Sequence, residues 1–183
     1  NIIFPQNRDT LKYLKSLGVK KFKFLGNLKF SENKYDTKIK TKKNLKTFLK
    51  NKAHWCASST HEGEELICIN AHLKLKKRYN NLVTIIVPRH IQRITKIIKI
   101  LEYFKLKFHC HSWEKKIPQN TQIYLVDTYG DTKSIFKISN TVFLGGSIID
   151  HGGQNPLEAS RYGCKIIHGK NINNFREIYK LLN

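Results

Sequence analysis

The run Leu82-Val83-Thr84-Ile85-Ile86-Val87 restricts this chain more than any other stretch. A continuous β-branched strand has no polar face to leave in water, so it must be covered on both sides, as strands are in parallel sheets flanked by helices. Pro88-Arg89-His90 ends the run, and a helix then sets Ile91, Ile94, Ile97, Ile98 and Leu101 on one face. The same alternation extends in both directions. Upstream, the spacing predicts a strand at His54–Ala57, a loop through Ser58-Ser59-Thr60-His61-Glu62-Gly63, and a helix at Glu64–Lys77 with an acidic first turn and a basic last turn. Downstream it predicts strands at Lys107–His111, Ile123–Val126 and Lys165–His168, and a final helix around Phe175–Leu182. Strand following helix in this order implies an α/β fold built on a doubly wound parallel sheet.

Within that frame, Phe143–Ala159 (FLGGSIIDHGGQNPLEA) reads as a strand, a glycine-rich loop and a helix running to about Tyr162. Asn155 suits the N-cap, Pro156 the first helical position, and Glu158 the third, where its carboxylate would close a capping box. Gly145, Gly146, Gly152 and Gly153 precede the cap and admit positive φ and close backbone approach. Free N–H groups in the loop, together with the helix start, would make an anion site. The plain alternative is an ordinary strand-to-helix turn. Ligands of doubly wound sheets bind beyond the carboxyl ends of the strands, and the loops at 58–63, 88–90, 127–131 and 145–158 all fall there.

The first 51 residues look different. A short amphipathic helix at Asp9–Ser16 closes on Leu17-Gly18, Lys21–Leu25 alternates like a strand, and residues 31–50 are lysine-rich and polar, read as a connection with a weak helical tail near Leu45, Phe48 and Leu49. The expected division is therefore 1–51, a tail and linker, and 52–183, the domain proper. No run approaches a membrane span or a signal peptide. Cys56, Cys68, Cys110 and Cys164 sit singly in apolar runs, which predicts buried, reduced thiols.

The formal charge of +21 suggests an affinity for anionic surfaces. Nucleic acid is not the expected partner, because only six of the 34 basic residues are arginine, the side chain that reads phosphate and base edges bidentately. Arg89, at a strand tip, could hold a phosphate or carboxylate, or simply form a surface ion pair. Gly130 and Asp131 could meet a base or sugar, or Asp131 could only cap the next helix. His61, Glu62 and Glu64 have an acid–base look that a loop or cap would also explain. His109 and His111 share one strand face with no third ligand evident, so no metal site is expected. Neither G-x-G-x-x-G nor G-x-x-x-x-G-K-[ST] nor G-x-S-x-G occurs.

Taken in order, Gly26-Asn27-Leu28-Lys29-Phe30, Ala57-Ser58-Ser59-Thr60-His61-Glu62-Gly63-Glu64-Glu65, Val87-Pro88-Arg89-His90, Asp127-Thr128-Tyr129-Gly130, Phe143-Leu144-Gly145-Gly146-Ser147, Gly152-Gly153-Gln154-Asn155-Pro156-Leu157-Glu158 and Asn174-Phe175 resemble the 3-deoxy-D-manno-octulosonic acid (Kdo) transferases of lipopolysaccharide assembly. The resemblance runs over nearly the whole chain and matches the C-terminal half of such an enzyme. It implies the Rossmann-like C-terminal domain of a GT-B glycosyltransferase, which binds CMP-Kdo and works without metal or cofactor on a lipid A precursor at the cytoplasmic side of the bacterial inner membrane. By the same resemblance the CMP contacts are Pro88, Arg89, Tyr129, Gly130, Asp131, Asn155, Pro156, Leu157 and Glu158, with Ser59, His61, Glu62, Gly146 and Ser147 lining the cleft. No catalytic residue is expected in the chain: the family's carboxylate base, acceptor site and membrane anchor belong to the N-terminal domain, so the expectation is a donor-binding fragment or broken gene product, inactive alone, with a separate N-terminal half as a candidate partner. Asp131 stands where the family usually has Glu, Ile91-Gln92-Arg93 follows Pro88-Arg89-His90 where the family has PER, and Ala159 follows Glu158 where it has Pro. The rival readings are another GT-B enzyme with a different nucleotide sugar, and a non-catalytic basic protein on nucleic acid or anionic membrane.

Overall fold

The computed structural model describes residues 2–26 and 39–182. The chain divides into two compact units, Asn1–Asp36 and Thr37–Asn183. Residues 27–30 of the Gly26–Phe30 motif, and the first part of the 31–50 segment, lie outside the described residues.

In the first unit, α1 spans Arg8–Ser16. The Asn7 side chain accepts from the Thr10 N–H at 2.7 Å, a standard N-cap, and Gly18 at φ +79° follows the helix. The expected strand at Lys21–Leu25 is reduced to one parallel bridge between Phe22 and Ile3. Alternation alone does not make a strand where the partner offers only one residue for pairing.

Among the described residues the second unit holds six parallel strands: β1 (His54–Thr60), β2 (Val83–Pro88), β3 (Phe108–Cys110), β4 (Ile123–Leu125), β5 (Thr141–Leu144) and β6 (Lys165–His168), in the order β3-β4-β2-β1-β5-β6. Every residue of β2 is buried, as its unbroken apolar run requires. The sheet is wound in both directions from β1, so the topological switch point lies between β1 and β5. Side chains alternate across the pleat. Val83, Ile85 and Val87 pack on one face with Leu45, Phe48 and Leu49 of α2 (Lys43–Leu49), Ile135 and Phe136 of α5 (Thr132–Phe136), Ala159 of α6 (Leu157–Arg161) and Tyr179 of α7 (Arg176–Leu182). Ile86 packs on the other face with Ile69 of α3 (Glu64–Lys76) and with Ile97 and Leu101 of α4 (Ile94–Tyr103).

The division expected at residue 51 therefore moves. Part of the segment read as a linker is core: Leu45 is fully buried, and Phe48 and Leu49 are 5% exposed. The lysines around them masked an L-x-x-F-L stripe that one turn of helix gathers on a single face. All four cysteines are buried and free, and burial raises the Cys68 thiol, with Glu64 and Glu65 nearby, to about 12. Among the described residues no helix is long and apolar enough to cross a membrane.

Candidate functional site

The loops at the carboxyl end of the sheet are tied into a closed circuit. β1 runs three residues past its expected end, through a register shift at Ser58/Thr60 where Ser59 takes φ +55°. Positive φ at a non-glycine residue is strained and is tolerated when the surroundings hold it. From there the Thr60 carbonyl accepts the Arg89 N–H at 3.0 Å, joining the tips of β1 and β2. Gln92, in the 3-10 turn Ile91–Arg93, donates to the Tyr129 hydroxyl at 3.2 Å and so reaches the β4 loop. Lys133 of α5 lies 3.8 Å from Glu158 of α6, connecting the β4 and β5 loops. The circuit closes through Glu64.

Glu64 is the residue that the sequence undersold. It is fully buried in the first turn of α3, and its carboxylate accepts N–H groups from His61 (3.0 Å), Gly146 (2.7 Å), Ser147 (3.1 Å) and Ile148 (3.1 Å). The glycine-rich loop does make an anion cradle, but an internal carboxylate fills it. This corrects the expectation that those N–H groups stand free. Gly145 has to be glycine here, because a Cβ would stand 2.3 Å from the Ser59 carbonyl oxygen. Glu65, also fully buried, accepts from Arg93 Nη1 and Nη2 at 2.8 and 2.9 Å, which fixes the turn that follows Arg89.

The α6 entry forms only in part. The helix starts one residue later than expected, with Pro156 at the N-cap and Asn155 just ahead of it, where Asn155 Oδ1 still accepts the Leu157 N–H at 3.1 Å. Glu158 does not close a capping box; it turns to Lys133 instead. The helix ends at Arg161 after five residues, so its dipole is short. Glu158 and Asn155 are half-buried, Pro156 and Leu157 buried.

The remaining positions separate by exposure. Arg89 is exposed, and its guanidinium has no ion pair or hydrogen bond among the described residues. Pro88 is buried at the end of β2. Tyr129 is 66% exposed and Gly130 turns with φ +88°. Asp131 precedes α5 without a side-chain cap; its carboxylate instead accepts from Thr128 Oγ1 at 2.5 Å and lies 3.5 Å from His111 Nε2. Of the expected cleft-lining set, Ser147 is fully buried and donates to the Leu144 carbonyl, so it belongs to the frame. Gly146 is buried as well, and Glu62 faces solvent with Lys96 at 3.7 Å. His61 is buried, 8% exposed, with the rings of His151 and His90 at 4.2 and 6.0 Å. An apolar groove of about 470 Å³, lined by Trp55, Ile67, Leu75, Phe143 and Ile167 among others, runs along the α3 side of the sheet and contains none of these residues.

No family model matches the chain. The chain is 35% identical, over its whole length, to the 3-deoxy-D-manno-octulosonic acid transferase of Haemophilus influenzae, of which it spans 43%. It is 32% identical over 87% of its length to a probable mitochondrial 3-deoxy-D-manno-octulosonic acid transferase of Arabidopsis thaliana, of which it spans 37%. Among solved structures it is similar to the C-terminal CMP-Kdo binding domain of WaaA from Acinetobacter baumannii, with a TM-score of 0.70 and 30% identity over 75% of this chain and 72% of that one.

Proposed function

This chain belongs to the Kdo transferase family, matching its C-terminal domain, and on that footing we propose that it holds the CMP-Kdo donor for transfer of Kdo to a lipid A precursor. The observation that carries the reading is the likeness of the second unit's fold to a CMP-Kdo binding domain, joined to an exposed, unpaired Arg89 at the tip of β2. In this reading Arg89 receives the donor phosphate, and Pro88 and the Tyr129-Gly130-Asp131 turn receive the base. Asn155, Pro156, Leu157 and Glu158 position the ribose and phosphate. Two strand spacings separate the β4 tip from the β1 tip, about 10 Å, which suits a nucleoside monophosphate laid across the loops.

The chemistry is displacement of CMP by an acceptor hydroxyl. A carboxylate base deprotonates the hydroxyl, the anomeric carbon–oxygen bond to CMP breaks, and the phosphate leaves with the negative charge. This domain's share is to orient the donor and stabilise the departing phosphate through Arg89; the base would come from the N-terminal half. The acceptor lies at the cytoplasmic face of the inner membrane, where a net charge of +21 favours an anionic surface.

Titration calorimetry with CMP and with UDP tests this. The expected result is saturable binding of CMP, weaker binding of UDP, and loss of at least about tenfold in CMP affinity on Arg89→Ala, the scale of one charge-assisted contact. A preference for UDP would favour a different donor, and an unchanged affinity in the variant would remove Arg89 from the site.

A further inference from the structure

His61 carries a ring nitrogen that none of the described residues engages. Its Nδ1 lies 3.0 Å from the Ser59 carbonyl, which can only accept, so Nδ1 holds the proton and Nε2 presents a lone pair. Nε2 is shielded from solvent and has no hydrogen-bond partner. A buried acceptor left unmatched costs on the order of 1–3 kcal/mol, a cost that a donor on a bound ligand would offset.

The surroundings hold the ring in that state. Burial, and then His151, lower its pKa below the ordinary histidine value, with His90 adding to this; Glu64 and the Ser59 carbonyl oppose it. The ring is therefore neutral at pH 7. Glu64 fixes the loop on the far side, and Gly146 leaves room, since a Cβ there would come within 3.2 Å of His61 Cε1. The neighbouring imidazoles meet the ring edge-on, and among the described residues no three histidine, cysteine or acidic side chains converge to hold a metal.

A neutral acceptor is completed by a donor, which excludes the ligand's phosphate and carboxylate oxygens at neutral pH. His61 follows β1, which stands two strand positions from β4, whose tip carries the Tyr129–Asp131 turn. We propose that His61 Nε2 accepts a hydrogen bond from a hydroxyl of the donor's sugar and so selects the sugar carried on the nucleotide. This rests on the donor-domain reading above.

The test compares CMP and freshly prepared CMP-Kdo on the wild-type chain, His61→Phe and His61→Gln, the last offering a side-chain oxygen near the Nε2 position. The wild type is expected to bind CMP-Kdo at least tenfold tighter than CMP. His61→Phe should bring the two within about twofold while leaving CMP affinity unchanged, and His61→Gln should restore most of the difference. Histidine 15N spectra should show the Nδ1-protonated tautomer in the free protein, and an Nε2 signal that moves with CMP-Kdo and not with CMP. Equal losses for both ligands would mean that His61 serves the base or the frame, and an undiminished preference in His61→Phe would mean that it reads nothing; either overturns the proposal. Absence of CMP binding by the wild type overturns the donor-domain reading and this proposal together, whereas CMP binding with no sugar preference sinks this one alone.

Discussion

Glu64 decides most of the local geometry, because one carboxylate satisfies the N–H of His61 in its own loop and those of Gly146, Ser147 and Ile148, 82 to 84 residues further on. Glu64→Gln replaces an acceptor-only group by one whose amide faces the same N–H donors. It should cost on the order of 3 kcal/mol, read as a lower urea midpoint with little change in slope. His72 offers a second test. Its ring is fully buried against Thr84 Oγ1 at 2.9 Å, and burial, then Lys76, lower its pKa to about 4. The folded state thus takes up this proton less readily than the unfolded state, so stability is full above about pH 6.5 and falls as pH drops towards 4. The loss amounts to roughly 3 kcal/mol across that window. Urea midpoints from pH 7 to pH 4 should show the decline, and His72→Gln should flatten it. Neither role was visible from composition: a glutamate at the start of a helix reads first as a dipole partner, and only its reach across to the β5 loop shows otherwise.

At the scale of elements, helix and strand order came through from the sequence because β2, β4 and β5 are short apolar runs bounded by polar turns. Ends were harder. β1 continues to Thr60 because pairing with β2 and β5 outweighs the polar character of Ser58, Ser59 and Thr60. The sequence shows α2 only as the weak helical tail of a connection, because the lysines around Leu45, Phe48 and Leu49 dilute the apolar stripe that the fold buries. Leu45→Ala should open a cavity beneath the sheet and cost about 2–5 kcal/mol in an unfolding titration, whereas a mere linker residue would cost almost nothing. The turn after β2 depends on Arg93. Removing it by Arg93→Ala leaves Glu65 buried and unpaired, for a loss of about 3–5 kcal/mol. Because that turn also carries Gln92 to Tyr129, the same variant should weaken CMP binding although Arg93 touches no ligand.

At the scale of the whole molecule, the family was legible because an ordered set of strand-tip motifs is specific even where each is weak alone. Arg89, the 129–131 turn and Asn155–Glu158 lie on loops linked at one end of the sheet, and their part in holding a nucleotide is the proposal made above. What sequence could not separate was frame from surface. Ser147 and Glu64 have the residue types of a binding loop, yet their polar atoms are spent holding that loop together. A crystal structure of the chain with CMP measures directly where the nucleotide sits. It should show the phosphate against Arg89, the base at Tyr129–Asp131 and the ribose beside Glu158; CMP seated in the apolar groove, or nowhere on these loops, would contradict it.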